Sequence, residues 1–202
     1  MASPAADWNH NAHYHPLLLA AVPKPCHRAL DAGCGHGAFA RRLATVALSV
    51  DAIDRDPAVL SVARALSTGV ANISFAEADI LSWAAGDGYD FVSMIAVLHH
   101  LPFEAALERA AALLRPGGVL AILGLDRPRS VLHAAVRSVL AVPVSGCYRI
   151  TRGYAPVEAP TREPELTIGE IRRRAAAVLP GAVIRQHVLW RYSLVWRKPR
   201  TR

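Results

Sequence analysis

Residues 29–41 read Ala29-Leu-Asp-Ala-Gly-Cys-Gly-His-Gly-Ala-Phe-Ala-Arg41, and they predict a strand, a glycine turn and a helix in direct succession. The apolar run ends in the carboxylate of Asp31, and glycine then occupies every second position from Gly33 to Gly37. In such a unit, bare backbone and a helix N-terminus can lie against a nucleotide-like ligand. A side chain in the turn would hold the ligand away. A glycine turn without a ligand is the alternative that this stretch alone leaves open.

The glycine spacing separates this stretch from two other phosphate-binding motifs. It is Gly-x-Gly-x-Gly, whereas the dinucleotide fingerprint is Gly-x-Gly-x-x-Gly, and the Lys-Ser/Thr ending of a phosphate-binding loop is missing. The stretch therefore matches neither the dinucleotide fingerprint nor a phosphate-binding loop.

Length and composition predict one domain that spans residues 1–202. The chain is 52% hydrophobic, which suits an ordinary single core. No window of about twenty apolar residues predicts a membrane span, and the N-terminus lacks a signal-peptide layout. The three cysteines are odd in number and have no metal-ligand spacing, so we expect a reduced, cytoplasmic protein without a metal site.

The net charge of +7 permits a nucleic-acid partner but does not argue for one. It arises from 23 Lys and Arg residues against 16 Asp and Glu residues, and the excess is nearly all arginine spread along the chain. No basic run is interleaved with aromatic residues, as single-strand binders require. Nucleic acid is therefore not the expected partner.

Carboxylates follow the next two predicted strands. The strand over residues 46–54 ends in Asp54, where an acid can bond ribose hydroxyls, while Asp56 caps the following helix. The strand over residues 72–80 ends in Asp79 and Ile80, which could accept an exocyclic amine and pack on a purine. Both acids could also be ordinary loop residues.

The rest of the pattern predicts an α/β fold. Residues 88–101 predict a fourth strand with Phe91 to Ile95 as its core, which leads into a turn, so that His99 and His100 fall past the carboxyl end of the strand. A helix and the turn 115–118 lead into a fifth strand, and Thr167 caps a last helix. Two antiparallel strands, over residues 183–189 and 192–198, are joined by a tight Trp190-Arg191 connection. The predicted fold is a Rossmann-like seven-stranded sheet with helices on both faces and an antiparallel last strand pair.

Two flanking regions have a composition that suits movable covers. Residues 1–28 carry a dense set of polar aromatic side chains before a triple leucine, which predicts an N-terminal flap. Residues 126–166 are rich in apolar residues and arginines, and their second half contains many helix breakers. This long segment predicts a substrate lid. Its apolar residues indicate a small hydrophobic or aromatic acceptor, and its arginines leave room for an acidic group on that acceptor.

Five motifs in this order resemble the class I S-adenosylmethionine-dependent methyltransferases. They are Asp-Ala-Gly-Cys-Gly-His-Gly (31–37), Ile-Asp-Arg-Asp-Pro (53–57), Glu-Ala-Asp-Ile (77–80), Tyr-Asp-Phe-Val-Ser-Met-Ile-Ala-Val-Leu-His-His-Leu (89–101) and Leu-Leu-Arg-Pro-Gly-Gly-Val-Leu (113–120). The similarity covers nearly the whole chain. It is greatest to the small-molecule branch related to the ubiquinone/menaquinone-type and type 11 methyltransferases.

The resemblance implies S-adenosylmethionine as cofactor and S-adenosylhomocysteine as product. The glycine turn would hold the methionyl and ribose part, and Asp54 would bond the ribose with Arg55 beside the adenine. Asp79 and Ile80 would contact the adenine, and Ile95 and Ala96 would line the sulfonium side. The implied cofactor-binding set is Tyr14, His15, Asp31, Gly33, Cys34, Gly35, Gly37, Asp54, Arg55, Asp79, Ile80, Ile95 and Ala96.

Three functions remain open from the sequence. The first is methyl transfer to a small molecule, with His99 or His100 as general base if the acceptor must lose a proton. The second is an RNA methyltransferase, which the charge permits. Against it, the end of strand four reads Met94-Ile-Ala-Val97, not the Asn/Asp-Pro-Pro-Tyr/Phe type of amino-methylating nucleic-acid enzymes. The third is a cofactor-binding protein of this fold that transfers no methyl group.

Overall fold

The computed structural model describes residues 9–84, 86–130, 139 and 163–200. These residues form one seven-stranded sheet with the strand order β3-β2-β1-β4-β5-β7-β6. Strands β1 to β5 are parallel, and β7 runs antiparallel to both β5 and β6. The strands are β1 Arg28–Ala32, β2 Ser49–Asp54, β3 Ile73–Glu77, β4 Tyr89–Ile95, β5 Leu114–Leu125, β6 Val183–Gln186 and β7 Arg191–Arg197. The predicted sheet and its antiparallel last pair are confirmed.

Five α-helices have described bounds, of which the first precedes β1 and the other four lie between strands. They are α1 His15–Leu19, α2 Ala38–Leu43, α3 Pro57–Leu66, α4 Phe103–Leu113 and α5 Ile168–Val178. Short 3-10 turns cover Ala12–Tyr14 and Leu98–His100. The Asp56 carboxylate accepts the N–H groups of Ala58 and Val59 at the start of α3, so the predicted cap is present.

Helices cover both faces of the sheet because the strand residues alternate between two cores. Leu30 of β1 belongs to the core under α4 and α5, together with Leu107 and Ile171. Its neighbour Ala29 belongs to the core under α1, α2 and α3. No helix among the described residues is long and apolar enough to cross a membrane.

Two local predictions were wrong. The predicted turn 115–118 is part of β5, and the pairing register between β4 and β5 shifts there, where Gly117 adopts a φ of +82°. The connection between β6 and β7 is His187–Trp190, because Arg191 already pairs with Leu125 as the first residue of β7. Its two last residues adopt a left-handed conformation, which buries the apolar side chain of Leu189.

The flanking regions are described in part. Residues 9–28 of the predicted flap pack on the core through buried side chains that include Leu18. Residues 1–8 lie outside the described part. So do residues 131–138 and 140–162, which hold most of the predicted lid.

Candidate active site

The glycine turn lies at the carboxyl end of β1, where open α/β sheets bind ligands. Gly33 has a φ of +70°, and a Cβ on it would lie 2.2 Å from Cγ2 of Val97. Gly35 also has a positive φ, of +52°, but a Cβ there would meet nothing within 4 Å. The first glycine is therefore required by the protein's own packing. The second leaves an open face towards the neighbouring clefts.

A large cleft of about 700 Å³ lies between the ends of β1, β2, β3 and β4. It brings together most of the residues that the sequence predicted for the cofactor, namely Gly33, Gly35, Asp54, Arg55, Asp79, Ile80, Ile95 and Ala96. Asp56, Pro57, Ala78, Val97, His100 and Leu101 complete its lining.

The carboxylate of Asp54 is fixed in the large cleft by two backbone groups. Its Oδ2 accepts the N–H of Gly35 at 2.9 Å, and its Oδ1 accepts the N–H of Asp56 at 3.1 Å. A carboxylate can accept about four hydrogen bonds, so these contacts orient Asp54 and leave acceptor capacity for a ligand.

The other predicted carboxylate of the large cleft, Asp79, shapes the chain after β3. Its Oδ1 accepts the N–H of Leu81 at 2.9 Å, and its Oδ2 lies 3.7 Å from Nη1 of Arg55. Arg55 is largely exposed, so this ion pair contributes little to stability. The backbone contact is therefore what fixes the direction of the Asp79 side chain.

A small cleft of about 170 Å³ lies on the other side of the glycine turn and shares Gly33, Gly35 and Ile95 with the large cleft. The end of β1, the turn, α2, the end of α3 and the N-terminal segment supply its other walls. They are Asn9, Asn11, His15, Asp31, Cys34, His36, Ala38, Phe39, Arg41 and Leu66.

Asp31 is the most buried acid of the small cleft, with 2% of its surface exposed. Its Oδ1 accepts the Ser93 hydroxyl at 2.8 Å, whereas its buried Oδ2 has no hydrogen-bond partner among the described residues. Burial raises the pKa of this carboxyl to about 7, and the nearby charge of Asp54 adds to the shift. A ligand with a cationic N–H donor would satisfy the unpartnered oxygen.

His15 lies in the small cleft as a neutral imidazole. It is 4% exposed and meets the Phe39 ring edge-on, at 5.0 Å between centroids. Burial lowers its pKa to about 3, and Arg42 adds to the shift. Within the described residues its Nδ1 has no hydrogen-bond partner. Cys34 is also buried there, and burial raises the pKa of its thiol, which keeps it protonated.

A side pocket of about 320 Å³ adjoins the large cleft and shares His100 and Leu101 with it. Its other walls come from the 3-10 turn after β4, the start of α4, the strands β5 and β7, the segment before α5, and α5 itself. They are Leu98, His99, Pro102, Phe103, Leu125, Pro164, Glu165, Leu166, Ile171, Arg174 and Tyr192.

The two predicted catalytic histidines differ in position. Their ring centroids lie 3.9 Å apart, but His99 lines the side pocket alone, whereas His100 lines both the side pocket and the large cleft. Ala96, three residues before His99, has a left-handed φ of +57°, and its N–H donates to the Leu123 carbonyl at 2.7 Å. This turn directs the chain after β4 across the mouth of the large cleft.

Two residues of the predicted set do not line the clefts. Gly37 is the N-cap of α2, and the hydroxyl of Tyr14 donates to the Val188 carbonyl at 2.6 Å. Sequence reasoning also missed lining residues, including Asn11 in the N-terminal segment and Arg174 on α5. Asn11 belongs to the dense polar cluster before α1, and that cluster is the sequence pattern that could have identified it. No sequence pattern marks Arg174.

Comparison with known proteins gives consistent results. A family model described as a methyltransferase domain matches residues 29–118. The chain is 36% identical over 197 residues to the uncharacterized methyltransferase Mb0092 of Mycobacterium bovis, which covers 95% of this chain and 98% of that protein. It is 34% identical to a ubiquinone biosynthesis O-methyltransferase of Xanthomonas campestris, over 59% of this chain and 52% of that protein.

A solved structure shares the fold at low sequence identity. The N-methyltransferase NodS from Bradyrhizobium japonicum, solved with S-adenosylhomocysteine, aligns with a TM-score of 0.65 at 20% identity. The alignment covers 98% of this chain and 94% of that one. At this identity the likeness is evidence for the fold.

Proposed function

Because the chain belongs to the class I S-adenosylmethionine-dependent methyltransferases, we propose that it methylates a small hydrophobic or aromatic molecule bound in the side pocket. The observation that carries this proposal is the sharing of His100 and Leu101 by the side pocket and the large cleft. Molecules bound in the two spaces would meet at the end of β4.

The residues of both clefts fit the cofactor that this family uses. Asp54 and Asp79 offer oriented carboxylates to the ribose and the adenine amine, and Ile80 offers an apolar face. The unpartnered Oδ2 of Asp31 suits the ammonium of the amino-acid end. The cofactor supplies a methyl group already activated by a sulfonium. The protein's task is then to orient the two molecules and to exclude water.

The acceptor class follows from the walls of the side pocket. Its volume lies near the lower end of the range for small-molecule sites. Leu98, Phe103, Leu125, Leu166 and Ile171 give this pocket an apolar part beside its polar lining residues, which are His99, His100, Glu165 and Arg174. The guanidinium of Arg174 already pairs with the Glu104 carboxylate, which favours an uncharged ring system over a strongly acidic acceptor.

We assign His100 the role of general base when the acceptor has a proton to lose. It lies on the boundary between the two spaces, where an acceptor atom would face the methyl group. Imidazole titrates near neutral pH and is suited to this work. His100→Gln should lower turnover about 100-fold or more with little change in S-adenosylhomocysteine affinity, and His99→Gln is the matched comparison. Unchanged turnover in both variants would remove the role.

The experiment that tests the function has two stages. Calorimetric titration with S-adenosylhomocysteine measures cofactor binding, and release of S-adenosylhomocysteine from S-adenosylmethionine is then screened across hydrophobic and aromatic acceptors. Leu166→Trp fills the side pocket and should abolish turnover without weakening S-adenosylhomocysteine binding. Leu48→Trp, at a largely exposed position, is the control. Turnover with RNA, together with RNA binding of steep salt dependence, would overturn the small-molecule assignment.

A further inference from the structure

The N-terminal segment, residues 9–19, supplies one wall of the small cleft without belonging to the sheet. Asn9, Asn11 and His15 all line this cleft, and α1 is only five residues long. A helix this short has little stability of its own. Its position over the cleft therefore depends on tertiary contacts.

Several of those contacts come from the connector, residues 187–190, and from Arg191 directly after it. The Tyr14 hydroxyl donates to the Val188 carbonyl at 2.6 Å, and Nε of Arg191 donates to Oδ1 of Asn11 at 2.8 Å. Ring contacts accompany these bonds. They are Tyr14 with His187 at 5.1 Å and His10 with Trp190 at 6.0 Å between centroids.

The connector is held in a conformation that non-glycine residues rarely adopt. Leu189 and Trp190 have φ values of +59° and +55° in succession. Leu189 is fully buried, and its carbonyl accepts Nη1 of Arg191 at 3.2 Å. The His187 N–H donates to the Arg191 carbonyl at 2.8 Å and closes the loop. Backbone strain persists only where the surroundings fix it, and it concentrates at functional sites.

We propose that the connector anchors the N-terminal segment over the cofactor's amino-acid end, with Tyr14 and Arg191 as positioning residues. Neither side chain lines the small cleft, so both act through Asn11 and His15, which do. This inference rests on the proposed function, in which the small cleft takes the amino-acid end of the cofactor. It also gives Tyr14 an indirect part in cofactor binding in place of the predicted direct contact.

If the connector anchors the segment, weakening the contact between them should lower the affinity for S-adenosylhomocysteine and not the affinity for adenosine. If Tyr14→Phe lowers the population of the docked segment, the apparent Kd rises by the reciprocal of that population. S-adenosylhomocysteine carries the amino-acid end and should lose affinity about threefold to tenfold, the range expected for one buried hydrogen bond. Adenosine lacks that end and occupies only the large cleft, so its affinity should not change.

The experiment measures both ligands on the full chain by calorimetry, for the wild type, Tyr14→Phe, Arg191→Met and the double variant. Hydrogen exchange of residues 9–19 is followed without ligand and should accelerate in each variant. Tyr89→Phe is the matched control, because the Tyr89 hydroxyl donates to Asp51 at 2.7 Å outside the three cavities of the site. It should lower the melting temperature and leave the ratio of the two affinities unchanged.

The outcomes separate this inference from the proposed function. No S-adenosylhomocysteine binding by the wild type would refute the proposed function itself. Normal wild-type binding with equal losses for both ligands would reduce Tyr14 and Arg191 to structural residues and overturn the anchor. Unchanged affinity for S-adenosylhomocysteine in the double variant would overturn it as well.

Discussion

At Gly35, the effect of a side chain on stability can be measured separately from its effect on ligand binding. Its positive φ makes any side chain costly, yet the space beside it is open and faces both clefts. Gly69, at the end of α3, has the same two properties, with a φ of +89° and no atom within 4 Å of the position a Cβ would take. Gly69 lines none of the three cavities of the site.

Alanine at these two glycines should therefore have equal effects on stability and unequal effects on binding. Each substitution should lower the free energy of unfolding by about 1–2 kcal/mol, because both force alanine into the left-handed region. Only Gly35→Ala should weaken S-adenosylhomocysteine binding, by about tenfold or more, since its methyl group enters ligand space. Urea unfolding and calorimetry measure the two quantities. Equal affinities in both variants would mean that the ligand does not approach Gly35.

Elements with local signals were predicted well from the sequence. The Asp56 cap of α3 and the Thr167 cap of α5 depend on residues two or three positions apart, so the pattern is visible in the chain itself. Asp31, Asp54 and Asp79 were predicted at strand ends from similarly local patterns, although β3 ends at Glu77 and not at the predicted Asp79. All three acids line the clefts because parallel strands end at one edge of the sheet.

Features that depend on distant pairing were not predicted. The bond between Arg191 and Asn11 joins residues 180 positions apart. The left-handed connector is also not encoded by glycine or asparagine, so turn chemistry gives no signal for it. The segment 115–118 looked like a turn because of its proline and glycines, whereas it lies inside β5, directly before the residues that pair with β7.

The cap of α5 offers a test at the scale of the element. The Thr167 hydroxyl bonds the Glu170 backbone while the Glu170 carboxylate accepts the Thr167 N–H at 2.8 Å. Thr167→Ala should lower the free energy of unfolding by about 1 kcal/mol. Thr167→Ser keeps a hydroxyl at the cap and should retain most of that stabilisation. Both are measured by urea denaturation. Equal stability of Thr167→Ala and the wild type would show that α5 is held by its packing on α4 alone.

His15 should contribute a loss of stability on mild acidification, which a comparison of the wild type with a His15 variant isolates. Its folded pKa of about 3 lies below the ordinary value of 6.5, so unfolding takes up a proton below pH 6.5. The stabilisation is complete above pH 6.5 and is lost as the pH falls towards 3, with about 2 kcal/mol lost at pH 5. Between pH 7.5 and pH 5, the unfolding free energy of His15→Gln should rise by about 2 kcal/mol relative to that of the wild type. Parallel curves for the two proteins would contradict a buried neutral His15.

Asp31 contributes a pH dependence of the free energy of unfolding that is opposite in sign to that of His15. Its pKa of about 7 lies above the ordinary 3.8, so the folded state retains a proton that the unfolded state releases. The stabilisation from Asp31 is therefore lost as the pH rises from about 4 to 7. Over this range Asp31→Asn should gain unfolding free energy relative to the wild type in urea denaturation, and parallel curves for the two proteins would contradict a buried protonated Asp31.

The same carboxyl links stability to ligand binding. A cationic ammonium beside Oδ2 favours the ionised form, so S-adenosylhomocysteine should bind more tightly as the pH rises to 7, by up to about tenfold per unit, and level off above it. Asp31→Asn should bind more weakly at pH 8, with a flat profile over this range. Calorimetry in buffers of different ionisation enthalpy should register proton release on binding at pH 6 for the wild type alone. Equal proton release by the variant would place the titrating group elsewhere and separate Asp31 from the cofactor's amino group.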